Sequence, residues 1–301
     1  MDQADYRKEA VRALWGVVVV SVVASLALGV AAVLGAKAFR GALTALGHMC
    51  LRVWRVLPDV VQGLAVVVML AGLAAAVFWL AAALSKWWET WRYVRSLRRH
   101  AVGLPLELLP VLHTLGLMDH VVAVGDVRPY ALTAGLFAPK IIISTGLIER
   151  LDEGELEAVL LHEASHAVHR DPLALLVSRA LAAGFFYLPV AKALAVRQQA
   201  ALELAADQYA LARLGDSVSL SSAMLKLLNP APAVTPASAF TSVTDVRLSL
   251  LLGRGVDLPG ASPRALLESW VAVAVVLGPA AGLYGLVWAL NVFPILTVCP
   301  V

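Results

Sequence analysis

The chain has 301 residues, of which 60% are hydrophobic and 15% charged, with a formal net charge of +3. That balance, with a strongly positive mean hydropathy, excludes an ordinary soluble enzyme and points to a membrane protein. The basic excess sits beside the apolar runs, where it suits anionic headgroups, and no basic-aromatic pattern suggests nucleic acid.

In chain order, Leu14–Ala36 and Val60–Leu84 are each long enough to cross a bilayer, which takes about 20 apolar residues. Trp270–Leu296 is a third such run, and its Pro279 is tolerable in a membrane helix. Ala36-Lys37-Ala38 has the form of a cleavage site, but the apolar stretch before it is too long for a signal peptide. Arg7, Lys8 and Arg12 before the first run, with Lys86, Arg92, Arg95, Arg98 and Arg99 after the second, outnumber Lys37, Arg40, Arg52 and Arg55 between them. The bias puts the N-terminus and the residues after the second run on the cytoplasmic side. Cys50 and Cys299 would then share the outer side, and they read as two unrelated apolar cysteines.

Residues 86–100, rich in Trp and Arg, read as a helix leaving the membrane through an aromatic belt. Val121–Val124, Tyr130–Ala134 and Lys140–Ser144 read as short strands with turns at Gly125-Asp126 and between Gly135 and Pro139. A small sheet there offers an edge that can pair with an extended substrate backbone.

Asp152 then looks like an N-cap, with Glu155 as its capping-box partner. The helix that follows carries His162-Glu163-Ala164-Ser165-His166. This is H-E-x-x-H, in which residues four apart share a face, so both imidazoles can reach one zinc ion while Glu163 takes a proton from a bound water. A third ligand is needed, and Glu203 is the best candidate, on a helix ending near Gly215. Asp207, one turn on, can accept a hydrogen bond from a ligand imidazole. His169 lies too far along the helix axis to join the same ion. Asp171, before Pro172, most simply caps the next helix, with a role behind the ligands as the lesser reading.

The apolar run 172–196 cannot cross the membrane once, because Glu203 would then lie on the opposite side from the histidines. A buried or re-entrant pair of short helices fits better. Residues 229–239 are a Pro-rich loop, read as a linker or a lid over the cleft. Tyr130 and Tyr209 are the candidates for stabilising an oxyanion, and for each an ordinary packed tyrosine is the better reading.

Pro129 to Asp171 followed by Glu203-x-x-x-Asp207 resembles membrane-bound gluzincin metallopeptidases of the BlaR/MecR type. The likeness rests on Thr133-Ala134-Gly135, Pro139-Lys140-Ile141-Ile142-Ile143, Gly146-Leu147, Leu156 to Leu160, and Arg170-Asp171. The related HtpX and CAAX-prenyl-protease type shares H-E-x-x-H and E-x-x-x-D but places two membrane spans between them, which this chain lacks. Carried over by position, His162, His166 and Glu203 bind zinc, Glu163 is the general base and Asp207 orients a ligand. Arg247 matches a basic position downstream, with pairing to Asp207 or another carboxylate, or polarisation of the substrate carbonyl, as its roles. The chain stops at Val301, so the expectation is a protease without the sensor domain of its relatives.

The combined expectation is a mainly α membrane protein with about three transmembrane helices and a gluzincin-like α+β metallopeptidase domain holding a small sheet. Residues 1–100 form a membrane region, 101–260 the peptidase and 261–301 a last span and tail. Its function is zinc-dependent cleavage of a protein or peptide at the cytoplasmic face of a bacterial cell membrane, with the bilayer and a separate sensor or regulator as partners. The rivals are HtpX-like quality control of membrane proteins and a catalytically silent zinc-binding signalling protein.

Overall fold

A computed structural model describes residues 2–47, 84–85, 87–88, 91–92, 94–96, 99–228, 240–251 and 257–275. The helices are α1 (Gln3–Gly47), α2 (Leu109–Leu115), α3 (Thr145–Ile148), α4 (Glu153–His169), α5 (Asp171–Gly184), α6 (Pro189–Leu214), α7 (Val218–Leu228) and α8 (Phe240–Leu251). The strands are β1 (Ala101–Val102), β2 (Val121–Val124), β3 (Ala131–Ala134) and β4 (Lys140–Ser144). Residues 1–18, 86–186 and 190–262 make one compact unit, and residues 19–85, 187–189 and 263–301 make a second.

In the first unit the sheet runs β1-β2-β4-β3. The central strand β4 lies parallel to β2 and antiparallel to β3. Because a strand alternates faces, Ile141 and Ile143 turn into the main core with Leu156, Val159 and Leu160 of α4, while Ile142 packs on the opposite face with Val124 and Ala134. Burial on both faces explains why three consecutive isoleucines suit β4. The β3–β4 turn opens on Gly135, whose φ of +115° disfavours any side chain. Strand β3 is an edge, and it packs beside α4.

Helix α4 starts where the capping box places it. Glu155 N–H donates to Asp152 Oδ1 and Asp152 N–H to Glu155 Oε2, both at 2.9 Å. Ser222 and Lys226 of α7 also hold the buried Glu155 carboxylate, which fixes the helix in rotation as well as register. Arg170 ends α4 in the left-handed region (φ +55°), the one non-glycine residue with positive φ among those described. That conformation costs roughly 1–2 kcal/mol. It turns the chain sharply enough for α5 to begin at the next residue.

The expectation of about three transmembrane helices is overturned: among the described residues no helix is long and apolar enough to cross a membrane. Run 60–84 lies outside the described residues except at Leu84, and run 270–296 does so beyond residue 275. The first run falls in α1, a helix that begins well before it, and the packing is visible where the two meet. Tyr6, Ala10, Ala13 and Val17 form one buried stripe. Ahead of the run Tyr6 packs beside Leu204 and Ala205, and Ala10 beside Ala201 and Leu202, and at its start Gly16 lies against Leu194. Hydropathy scores an apolar residue alike whether its neighbour is lipid or another helix.

The run 172–196 folds as α5 and the start of α6, joined through residues 185–188. Helix α6 continues without a break past Glu203 and Asp207 to a C-cap at Gly215 (φ +79°). The 229–239 loop, Cys50 and Cys299 lie outside the described residues, as do Lys86, Tyr93 and Arg98 of the aromatic cluster.

Candidate metal centre

Two helices of the first unit bring His162, His166 and Glu203 together. The histidines lie one turn apart on α4, and α6 supplies the carboxylate. His162 Nε2 is 3.2 Å from His166 Nε2 and 3.4 Å from Glu203 Oε2, and His166 Nε2 is 3.9 Å from Glu203 Oε1. A tetrahedral zinc with bonds of about 2.0–2.1 Å has ligand atoms roughly 3.3 Å from one another. The two nitrogens and the His162–Glu203 pair stand at that spacing, and the Glu203 carboxylate would have to close slightly on His166 to share the ion.

The donor set also calls for a cation. His166 Nδ1 donates to Asp171 Oδ2 at 2.7 Å. His162 Nδ1 lies 2.8 Å from Asp207 Oδ1, off the N–H axis and so without a well-aligned hydrogen bond. With each Nδ1 turned to a carboxylate, the two Nε2 lone pairs face each other and the Glu203 carboxylate. Only a positive charge between them, a proton or a metal ion, relieves that repulsion. Without metal, the proton resides on His162. Burial and the Arg247 charge oppose it, yet Asp207 and Glu203 outweigh them and push the imidazole up to about 9.

Each histidine is backed by an acid, and each acid by an arginine. Behind His162, Arg247 of α8 forms a bidentate pair with Asp207, Nε to Oδ2 and Nη2 to Oδ1 at 2.8 Å each. Its Nη1 lies 3.3 Å from Glu203 Oε2. Both carboxylates are held low, as Arg247 and the histidine charge overcome a burial cost that acts the other way. Behind His166, Arg7 of α1 donates to Asp171 Oδ1 and to Ser165 Oγ.

Asp171 is therefore not a helix cap. Arg170 occupies the N-cap position of α5 without a side-chain cap bond, and the Asp171 side chain points back to His166. Of the two readings given to Arg247, the one seen is the pairing with Asp207 and Glu203. His169 donates its Nδ1 proton to the Ser165 carbonyl at 2.8 Å, outside the ligand cluster. Tyr209 packs edge-on to His169 and beneath Arg213, and Tyr130 packs on the outer face of the sheet. Both are packed tyrosines.

Glu163, next to His162 in sequence, is half-buried. Thr133 Oγ1 lies 2.7 Å from Glu163 Oε2 and 2.9 Å from the Glu163 carbonyl, so edge strand β3 holds this carboxylate. Neither Thr133 nor Arg7 was assigned a role from sequence. Thr133 carried a hint, since it belongs to the motif that precedes the sheet turn. Arg7 carried none, as it reads only as one of several basic residues near an apolar run.

A family model described as BlaR1 peptidase M56 matches residues 4–249. That stretch takes in the whole centre from Arg7 to Arg247. No curated protein matches the chain.

Proposed function

The chain belongs to the BlaR1 peptidase M56 family, and on that footing we propose that it is a zinc-dependent endopeptidase. The reading rests on one observation above the others: two imidazole nitrogens and a carboxylate converge within 4.8 Å, with the carboxylate of Glu163, outside that cluster, next to His162 in sequence. His162, His166 and Glu203 would hold the ion. When bound, zinc lowers the pKa of a coordinated water to about 7 and polarises a carbonyl.

The chain's own residues do the remainder. Glu163 accepts a proton from the attacking water and returns it to the leaving amine, while Thr133 keeps the carboxylate from turning away. Asp207 and Asp171 orient the two rings through Nδ1 and leave each Nε2 free to bind metal. Arg247 balances the charge of Asp207 and Glu203 and is occupied in doing so. Strand β3, the edge strand beside α4, can pair with an extended peptide and lay its backbone beside Glu163. Such pairing demands little of the substrate's sequence.

Residues 101–260, completed by the first turns of α1, form the proposed peptidase domain. The proposed site of action is the cytoplasmic face of a bacterial cell membrane, on the strength of the basic residues near the apolar runs. A protein involved in regulation is the proposed substrate class, with a separate sensor as the partner that controls cleavage.

Purified wild type and Glu163→Ala, each shown to contain zinc, separate this reading from a silent zinc protein. Wild type should cleave unfolded casein, and the variant should be slower by about 10²–10⁴-fold. A wild type as inert as the variant on several unfolded substrates overturns the peptidase reading.

A further inference from the structure

We propose that Arg7 is a positioning residue of the metal centre, holding ligand His166 through Asp171, so that metal affinity depends on the seating of the N-terminal helix. The inference rests on the metallopeptidase reading above and goes beyond its ligands.

The two oxygens of Asp171 are divided between two partners. Oδ2 accepts from His166 Nδ1 at 2.7 Å, and Oδ1 accepts from Arg7 Nη1. The second arm of the guanidinium donates to Ser165 Oγ at 2.8 Å. Arg7 thereby bridges the last turn of α4 and the first residue of α5, the joint that Arg170 makes with its left-handed backbone. Asp171 and Ser165 are both buried. A planar fork engaging two fixed oxygens sets the rotation of the Asp171 carboxylate in a way that a point charge would not. Without it, among the described residues only His166 itself is left holding that carboxylate, and the ring loses its reference.

The same helix supports the third ligand from another side. Tyr6 and Ala10 pack on Leu204, Ala205, Ala201 and Leu202, the neighbours of Glu203 on α6. One short stretch of α1 therefore buttresses two of the three ligands. It also supplies an internal control. Glu9 pairs with Arg197 at 3.1 Å on the same interface and touches no residue of the centre.

The test is zinc affinity, read by competition with a chelating dye, for the full chain and its Arg7→Gln, Glu9→Gln, Asp171→Asn and Arg7→Gln/Asp171→Asn variants. Circular dichroism of each metal-free protein checks folding. Arg7→Gln should weaken zinc binding about tenfold, the lower end for groups behind a ligand. Glu9→Gln should stay within about twofold of wild type, and Arg7→Gln should add under about twofold once Asp171 is gone, because the two act in series. Should Arg7→Gln not fold, Arg7→Lys carries the same comparison with a smaller loss.

Equal losses for Arg7→Gln and Glu9→Gln would reduce Arg7 to general helix packing and overturn the proposal, as would full affinity in Arg7→Gln. A wild type that binds no zinc would instead overturn the metallopeptidase reading itself.

Discussion

The two histidines of the centre are supported by arms of the same chemistry and different construction. His162 leans on Asp207 and Arg247, whereas His166 leans on Asp171 and Arg7. In the first arm the acid lies one turn from Glu203 on the same helix, and the arginine reaches both acids, so ligand and support are coupled in one ion-pair network. In the second arm the acid comes from the start of the next helix, and the arginine from the far end of the chain. The difference teaches that two neighbouring imidazoles can be held by a local ion-pair network on one side and by packing from a distant part of the chain on the other.

Several substitutions would break or sharpen that contrast. The largest effect is expected at Glu203, where Glu203→Ala removes a ligand and leaves Arg247 facing one acid. Zinc affinity should fall by more than the roughly 100-fold upper end for supporting groups, measured by dye competition. Asp207→Asn comes next. It should cost zinc affinity towards 100-fold and about 2 kcal/mol of stability in denaturant unfolding, since a largely buried arginine loses its bidentate partner. Asp171→Asn should cost less, nearer tenfold in affinity. Equal losses at the two acids would erase the asymmetry between the arms.

A smaller effect concerns pH. In the metal-free protein the His162 imidazole is raised from 6.5 to about 9, so its proton favours the folded state below about pH 6.5. That contribution is lost as the pH rises through about 9. The melting temperature of the metal-free protein should therefore fall on the order of 5 °C between pH 6.5 and 9, whereas the zinc-loaded protein, which has already given up this proton, should not follow it. Parallel curves would place the cation of the metal-free state elsewhere. The smallest change is Asp152→Ala, which opens the capping box of α4 and should lower stability by about 1 kcal/mol with zinc affinity almost unchanged.

The legibility of these arms in the sequence follows their construction. H-E-x-x-H behind a capping box and E-x-x-x-D on a later helix are local patterns, and both pairs share a helical face in the structure. Strands β2 and β4 lie where their β-branched runs put them, whereas the two-residue β1 gave too short a signal to read. The contacts of Arg7 and Asp171 depend on a left-handed residue and on a helix packing from the N-terminus, which no spacing encodes, so from sequence the pairing of Asp171 with His166 is only the lesser of two readings. The apolar stripe of α1 misled for a related reason. Its alternation of buried small residues with exposed Trp15 and Val19 is a packing pattern, but a hydropathy window averages it away.

The central claim is that both arms turn their histidines onto one zinc ion shared with Glu203. X-ray absorption at the zinc edge of the loaded full chain tests it most directly. The account predicts two imidazoles and oxygen donors at about 2.0–2.1 Å, with no sulfur. A single imidazole, or a sulfur at about 2.3 Å, would contradict it.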